Sequence, residues 1–385
     1  MVSKGKFYSL VVTEQCNLGC KYCYAGSKPD IKLDEKTALS ICNYIIEDVI
    51  KNDITDPQVL FELGEPLLNF GVIQLAVNKL RKDISVLPGN RRFTFTIFSN
   101  LVLMEDDILD FIKKNVIYIS TSLDGPEEVH DYYRSKSYNK VITAIEKIKK
   151  RRIPLEASAV VTKSSLKRYK EIVDTYLKLG LYAINFRVLD RIGFGLARWK
   201  ELGYPASAFI DFQRKSLLYI MEKNLKGQVL IHRNFFYLFN MMRDRQKFEL
   251  FSLPCNTIKK RLVFDARGDI FTCGEGKVHK SSDFFKIGNI STGLDSSKVE
   301  RFWKTFEDTK SRYCKASNCE ILGLCAPCLA LNPRVNECNQ DRCREFKAYF
   351  SFLGNLISEP RFYGVFLGWN KFVRNRRYLY KSSLA

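Results

Sequence analysis

The sequence predicts an α/β fold: a mostly parallel sheet wound with helices, followed by a cysteine-rich region. Three observations carry this. Six short β-rich runs alternate with helical stretches over the first half of the chain, and polar, glycine-rich residues collect directly after successive runs. Eleven of the twelve cysteines fall into two groups, one from Cys16 to Cys23 and one from Cys255 to Cys343. With 385 residues, 46% of them hydrophobic and 13% aromatic, the chain can bury a sizeable core, which excludes disordered and collagen-like classes.

Taken in order, the strands are predicted at Phe7–Thr13, Val59–Leu63, Phe93–Phe98, Tyr118–Leu123, Leu155–Thr162 and Ile184–Leu189. Helices are predicted between them at Asp34–Lys51, with Asp34 as N-cap, and at Val72–Lys82, Glu105–Lys114, Tyr138–Lys150 and Leu166–Leu179. This alternation fits either an open doubly wound sheet or a barrel with right-handed crossovers. Both place their sites at the C-terminal ends of strands. There the chain carries Cys16-x3-Cys20-x2-Cys23, Gly64-Glu65-Pro66, Ser99-Asn100 and Asp124-Gly125-Pro126. Gly193–Gly203 reads as a loop, and helices are expected from about Ala206 to Lys226 and around Asn234–Phe251. Arg261–Phe264 and Asp269–Thr272 read as a β-hairpin. From Phe346 to Ala385 a helix and then a basic aromatic tail are expected, the latter interleaving Lys371, Arg374, Arg376, Arg377 and Lys381 with Trp369, Phe372, Tyr378 and Tyr380.

The start, MVSKGKFYSLVV, has no small-residue cleavage site and is expected to be a first strand rather than an export signal. No apolar run is long enough for a membrane span. Twelve cysteines without an export signal fit metal-ligating thiolates in a reducing cytoplasm better than a disulfide scaffold. The formal charge of +20 favours acidic partners without naming one.

Three thiolates at gaps of three and two residues suit one 4Fe-4S cube, leaving one iron open to an outside ligand. A zinc knuckle completed from elsewhere is the bland alternative. The eight cysteines of the second group equal two four-thiolate sites, with zinc ribbons as the alternative. Each strand-end residue also has a structural reading: Glu65 as a helix cap, Asn100 in an Asx-turn, and His130 in a structural hydrogen bond.

CxxxCxxC with an aromatic residue, here Tyr22, before its last cysteine is the signature of the radical S-adenosylmethionine (SAM) superfamily, which the chain resembles over residues 7–345. Gly64-Glu65-Pro66 resembles that superfamily's GGEP motif, with Leu63 in place of the first glycine. Ser99-Asn100 stands where relatives carry Thr-Asn-Gly, with Leu101 in place of the glycine. Ser122-Leu123-Asp124-Gly125-Pro126, with His130-Asp131 and Arg134, resembles its SLDGP…HD..R stretch. The resemblance implies a partial parallel (β/α)6 barrel, a SAM-binding cluster on Cys16, Cys20 and Cys23, and SAM contacts from Tyr22, Gly64, Glu65, Asn100, Ser122, Asp124 and Arg134.

Cys255-x12-Gly268-x4-Cys273, the Cys314–Cys343 run and Gly288-Asn289-Ile290 resemble the SPASM domain. That implies two auxiliary 4Fe-4S clusters, three clusters in all. Cys255, Cys273 and Cys328 would hold the first, with Cys338 completing it as the cysteine left over; Cys314, Cys319, Cys325 and Cys343 would hold the second. The expected organisation is a radical SAM barrel over 1–230, a bridging segment and SPASM domain over 231–346, and a C-terminal helix and basic aromatic tail over 347–385.

By resemblance the chain cleaves SAM reductively to a 5′-deoxyadenosyl radical, fed by an external donor such as flavodoxin or ferredoxin. The radical would abstract hydrogen from a ribosomally made precursor peptide to form a thioether or carbon–carbon crosslink. One SPASM subgroup oxidises Cys or Ser in sulfatases to formylglycine and carries an aspartate after the second SPASM cysteine. Here Gly274 stands there and Glu275 follows, so Glu275 is the candidate catalytic base and the sulfatase maturase the rival enzyme. The rival from another class is a zinc-bearing, basic RNA-binding protein; nucleic acid ranks behind peptide as a partner.

Overall fold

The computed structural model describes residues 5–88, 91–243, 255, 257–319, 321, 325, 327–332, 334–338 and 340–375. β1 (Gly5–Leu10), β2 (Asp56–Phe61), β3 (Thr94–Phe98), β4 (Tyr118–Ser122), β5 (Leu155–Val160) and β6 (Ala183–Arg187) alternate with α1 (Glu35–Lys51), α2 (Phe70–Ser85), α3 (Asp106–Lys114), α4 (Glu127–Tyr133), α5 (Tyr138–Lys150) and α6 (Tyr169–Lys178). All six predicted strands and all five predicted helices of this stretch are present, and α4 is additional. Asp34 caps α1 as its position suggests, its carboxylate accepting from the Thr37 backbone N–H at 2.9 Å and from the Thr37 hydroxyl at 2.7 Å.

Consecutive strands from β1 to β6 pair in parallel, and β7 (Ile231–His232) adds beside β6. The 11-stranded sheet runs in the order β11-β10-β9-β8-β1-β2-β3-β4-β5-β6-β7, so its two ends stay unpaired and the barrel is partial. The predicted hairpin, β8 (Arg261–Phe264) and β9 (Asp269–Phe271), is antiparallel as expected. Its place was not foreseen: β8 pairs in parallel with the free side of β1, and β10 (Lys286–Asn289) and β11 (Gly293–Leu294) extend the sheet from it. The cysteine-rich half therefore grows out of the same sheet as the first loop.

The two faces of the strands differ sharply. Tyr8, Leu10, Val59, Phe61, Phe95, Ile97, Ile119, Ala157, Ala159, Ile184 and Phe186 form the buried, helix-facing side. The alternate positions, including Ser9, Gln58, Glu62, Thr96, Ser120, Ser122, Glu156, Ser158, Asn185 and Arg187, line the inside. Toward the strand N-termini this inner face is buried, with Glu156 paired to Arg233 and accepting from Ser120. Toward the C-termini it opens, from half-buried Glu62, Ser122 and Asn185 to exposed Arg187. The inner face is thus polar and most exposed at the rim that carries the motifs.

After β6, the stretch expected to be a loop holds two short helices, α7 (Gly193–Ala197) and α8 (Trp199–Leu202), too brief for a period to register in the sequence. α9 (Ala206–Leu225) lies where predicted, and α10 (Arg233–Arg243) begins the helix expected at Asn234–Phe251, whose remainder lies outside the described residues. α11 (Gly274–Val278), α12 (Ser282–Phe285) and α13 (Ser296–Lys310) lead to α14 (Gln340–Ile357) and α15 (Pro360–Asn375).

α15 corrects the expected tail. Phe362, Val365, Phe366 and Trp369 recur at helical spacing and are buried, and the Trp369 indole donates to Asn224 Oδ1 at 2.9 Å. Lys371 and Arg374 stay exposed on this helix, while Arg376, Arg377, Tyr378, Tyr380 and Lys381 lie outside the described residues. Among the described residues no helix is long and apolar enough to cross a membrane.

Candidate active site

The residues after β1 make a closed excursion. Leu33 N–H donates to Val12 O at 3.0 Å and Glu14 N–H to Ile31 O at 2.9 Å, pinning the base of a loop that contains Cys16, Cys20 and Cys23. Neighbouring backbone grips this loop from several sides. Gly19 N–H donates to Ser135 Oγ at 2.9 Å, Lys21 N–H to Tyr133 O at 3.0 Å, and Phe194 N–H reaches Cys23 O at 2.9 Å.

Two glycines make the grip possible. Gly64 has φ +58°, and a Cβ on it would lie 2.4 Å from Gln15 O and 2.5 Å from Thr13 O. Gly193 has φ +53°, and its Cβ would meet Tyr24 O at 2.2 Å. Leu63 and Leu101, which stand where the resembled motifs carry glycine, also adopt left-handed backbone, at φ 68° and 64°. These two positions thus hold left-handed backbone without a glycine. Both leucines are buried, which offsets a strain of about 1–2 kcal/mol each.

Hydrogen bonds tie the strand-end loops together. Glu65 is buried, and its Oε1 accepts from Leu67 N–H at 3.1 Å and from the Ser99 hydroxyl at 2.8 Å, while Oε2 accepts from Asn100 N–H at 2.7 Å. It caps the 3-10 turn Pro66–Asn69 and locks the second loop to the third. Burial raises its carboxyl to about 7 against these three donors. Asn100 makes the expected Asx-turn with Val102 N–H at 3.0 Å, and its amide reaches Asn17 Oδ1 at 2.8 Å and Cys16 Sγ at 3.7 Å.

Below Cys20 lies a buried polar knot. Arg134 Nε donates to Asp124 Oδ2 at 3.0 Å, Tyr22 donates to the same oxygen, and Arg134 Nη1 lies 3.9 Å from Cys20 Sγ. The other oxygen of Asp124 accepts from Val160 N–H at 3.1 Å. His130 is wholly buried and structural, its Nδ1 accepting from Asp124 N–H at 3.4 Å and its Nε2 lying 3.0 Å from Ser137 Oγ. Ser122 faces the lumen beside Ser158 in the parallel register. Cys20 stands within electrostatic reach of both Cys16 and Cys23.

The second cysteine group docks on the same rim. Lys277 of α11 pairs with Glu14 of the first loop at 2.7 Å, and Arg261 of β8 pairs with Glu62 at the end of β2. Burial, with Glu62 and Glu275, pushes the Tyr24 phenol well above its ordinary value, against the pull of Arg187. Tyr24, Glu62, Arg187 and Arg261 escaped sequence reasoning; only the position of Tyr24 beside Cys23 hinted at any of them.

Cys273 sits at the N-terminus of α11, where its Sγ accepts from Gly276 N–H at 3.2 Å, with Cys255 and Cys328 close enough to push its thiol up further after burial. Cys314, Cys319 and Cys343 gather separately. Cys338 departs from the expected pairing: its Sγ lies 3.5 Å from Cys343 Sγ, and it faces Cys314 and Cys325 rather than the first set. A leftover ligand has no position in a sequence, and this one is carried to the second set by the turn before α14. Cys42 is buried in α1, as a lone core thiol should be.

The sequence profile of the Radical SAM superfamily matches residues 10–174, the stretch that contains the gripped loop and all four strand ends. This stretch is a radical SAM domain. An uncharacterized protein of Methanocaldococcus jannaschii is 32% identical over 194 residues, 49% of this chain and 64% of its own length, so the chain spans less than two thirds of that relative. The radical SAM cyclopropyl synthase TigE of Paramaledivibacter caminithermalis is 21% identical over 83% of this chain and 67% of its own. The cysteine-type anaerobic sulfatase-maturating enzyme of Clostridium novyi is 24% identical over 88% of this chain and 92% of its own.

Among solved structures, native anSMEcpe with bound AdoMet superposes with a TM-score of 0.73 over 94% of this chain and 99% of that one, at 17% identity. Streptococcus suis SuiB bound to precursor peptide SuiA gives 0.62 over 87% and 75%, at 14% identity. The radical SAM site fits its SAM-binding 4Fe-4S cluster in donor chemistry: three thiols on one gripped loop, two of them touched by side chains of neighbouring strand ends, beside a polar lumen.

Proposed function

We propose that the chain is a peptide-modifying radical SAM enzyme that removes hydrogen from a ribosomally made precursor peptide and forms a crosslink of thioether or carbon–carbon type. The observation that carries this reading is the shared rim, where the Lys277–Glu14 and Arg261–Glu62 ion pairs join the second cysteine group to the triplet loop and to the end of β2. TigE and SuiB, by name a cyclopropyl synthase and a protein bound to a precursor peptide, support the peptide class of substrate.

Cys16, Cys20 and Cys23 would hold the SAM-binding cluster, and Tyr22, Gly64, Glu65, Asn100, Ser122, Asp124 and Arg134 would frame SAM. When bound, the cluster and SAM together supply a 5′-deoxyadenosyl radical. The protein orients one C–H bond of the substrate and keeps water from it. Asn100 and Arg134 hold two of the three thiols in place, and Glu65 fixes the loops on either side. Glu275 would accept a proton from substrate. The eight cysteines of the second group would hold two auxiliary clusters. Flavodoxin or ferredoxin in the cytoplasm would supply electrons.

The test is anaerobic reconstitution with iron and sulfide, then reduction with SAM and quantitation of 5′-deoxyadenosine against the Cys16→Ala/Cys20→Ala/Cys23→Ala protein. Triplet-dependent product, followed by loss of two hydrogen atoms from a peptide encoded beside the gene, is the expected result. Equal yields from the variant would end the reading. Formylglycine in a Cys- or Ser-containing sulfatase peptide would shift it to the maturase reaction.

A further inference from the structure

Beside the loop that carries the triplet, the surface combines exposed rings with positive charge. Tyr132, near the end of α4, is 52% exposed. Its ring lies 4.8 Å, centroid to centroid, from that of buried Tyr133, and Tyr133 lies 5.7 Å from buried Tyr22, the residue before Cys23. Tyr22 in turn packs on Arg134, whose Nη1 lies 3.9 Å from Cys20 Sγ. A column of rings thus runs from solvent to the triplet. Lys21 Nζ sits 3.2 Å from the Tyr132 centroid, and the Tyr132 hydroxyl donates to Glu201 Oε1 at 3.1 Å. Phe194 and Leu196 of α7 are exposed as well, and Phe194 N–H holds Cys23 O. The segments 17–28, 132–136 and 193–201 that meet here carry Lys21, Lys28, Lys136, Arg198 and Lys200 besides buried Arg134. Their single carboxylate, Glu201, pairs with Arg198 at 2.6 Å, and the neighbouring Asp131 accepts from Tyr138 N–H at 2.7 Å.

We propose that this face docks an acidic one-electron carrier protein, and that the Tyr132–Tyr133–Tyr22 column is the medium through which its electron reaches the centre held by Cys16, Cys20 and Cys23. The inference rests on the radical SAM reading above and adds where the reductant binds. One electron moves: the reduced carrier, a flavin or iron–sulfur protein, is oxidised by one electron and the centre is reduced by one, with no bond made or broken. The tyrosines are not themselves oxidised or reduced, because they act only as packed matter, through which tunnelling decays less steeply than across solvent gaps. Cations around exposed rings suit a negatively charged partner and steer its approach. They also suit the small, short-lived contact that electron carriers make. An acidic peptide would find the same charge but would have no use for a column that ends at the triplet.

The probes are flavodoxin and a plant-type ferredoxin, both acidic, added anaerobically to the protein reconstituted with iron and sulfide. Calorimetry reads binding, and stopped-flow oxidation of each reduced carrier reads transfer. Lys136→Glu/Lys200→Glu is expected to weaken binding and slow transfer about tenfold at low salt, and to flatten their dependence on salt. Tyr132→Ala should weaken binding about tenfold and slow transfer at saturating carrier as well. Tyr132→Phe keeps the ring and should match the parent. With dithionite, a small reductant that needs no docking face, all three variants should form 5′-deoxyadenosine as the parent does, which also shows that they fold. Unchanged binding and transfer in the charge-reversed and Tyr132→Ala proteins overturns the proposal, as does a parent that binds neither carrier. Variants that keep the carriers but lose a labelled poly-glutamate peptide would give the face to an acidic peptide and overturn it too. No triplet-dependent 5′-deoxyadenosine from the parent with dithionite fails the underlying reading and the proposal with it.

Discussion

Arg134 and Asp124 form an ion pair at 3.0 Å that is sealed from solvent, with the Asp124 side chain 0% exposed and that of Arg134 9%. The pair lies beneath the triplet loop, with Tyr22 packed on the guanidinium at 5.2 Å. Such a pair adds little net stability, yet losing one partner strands a buried charge. Asp124→Asn is expected to cost about 3–5 kcal/mol in urea unfolding and to lower iron retention at the triplet. Tyr22→Phe removes one hydrogen bond and leaves the ion pair, so it should cost about 1–2 kcal/mol.

Gly64→Ala drives a methyl group into the Thr13 and Gln15 carbonyl oxygens, and the backbone there has no room to yield. The variant should lose the SAM-binding cluster and 5′-deoxyadenosine formation while the second cysteine group keeps its iron. Gly71→Ala, where nothing lies within 4 Å, is the control and should be neutral or stabilising by about 0.5–1 kcal/mol. Iron analysis of the two proteins decides it.

Leu63→Gly and Leu101→Gly test whether burial or backbone freedom dominates at the two left-handed leucines. Glycine relieves about 1–2 kcal/mol of strain but gives up a buried leucine, worth about 2–5 kcal/mol in a packed core. Both variants should therefore be less stable than the parent by denaturant titration, although each restores the residue of the resembled motif.

Burial holds His130 at about 4 and His232 at about 3, below the ordinary histidine value of 6.5. Both fold as neutral rings, so the stability they confer is complete above pH 6.5 and drains as pH falls toward 4. Glu65 opposes them: raised from 4.5 to about 7, it confers stability that is lost as pH rises through that window. His130→Gln should flatten the acid limb of urea midpoints measured between pH 7 and 4.5. An unchanged slope would locate the titration elsewhere.

How much of this was legible depended on range. Local signals such as the Asp34 cap, the six β-rich runs and the β8–β9 hairpin are short in sequence and appeared where expected. The β8–β1 pairing was hidden because it joins residues some 250 positions apart, as Arg261 and Ser9 show. The triplet and strand-end motifs were readable because each sits in a few adjacent residues. Glu62, Arg187 and Arg261 were not, since a charge at the end of a strand looks like ordinary surface until the strands are set side by side. Cys338 shows the same limit, because spacing counts thiols without saying which way a turn sends them.

The two-faced strands have a consequence for how this protein can change. The oily side that holds helices to sheet contributes nothing to the bore, and the bore contributes little to the oily side. Serines, threonines and carboxamides inside can be exchanged for other small polar groups without disturbing the layer that keeps the chain folded. Divergence toward new substrates can therefore proceed along the inner positions at little structural cost, with the machinery at the rim held constant.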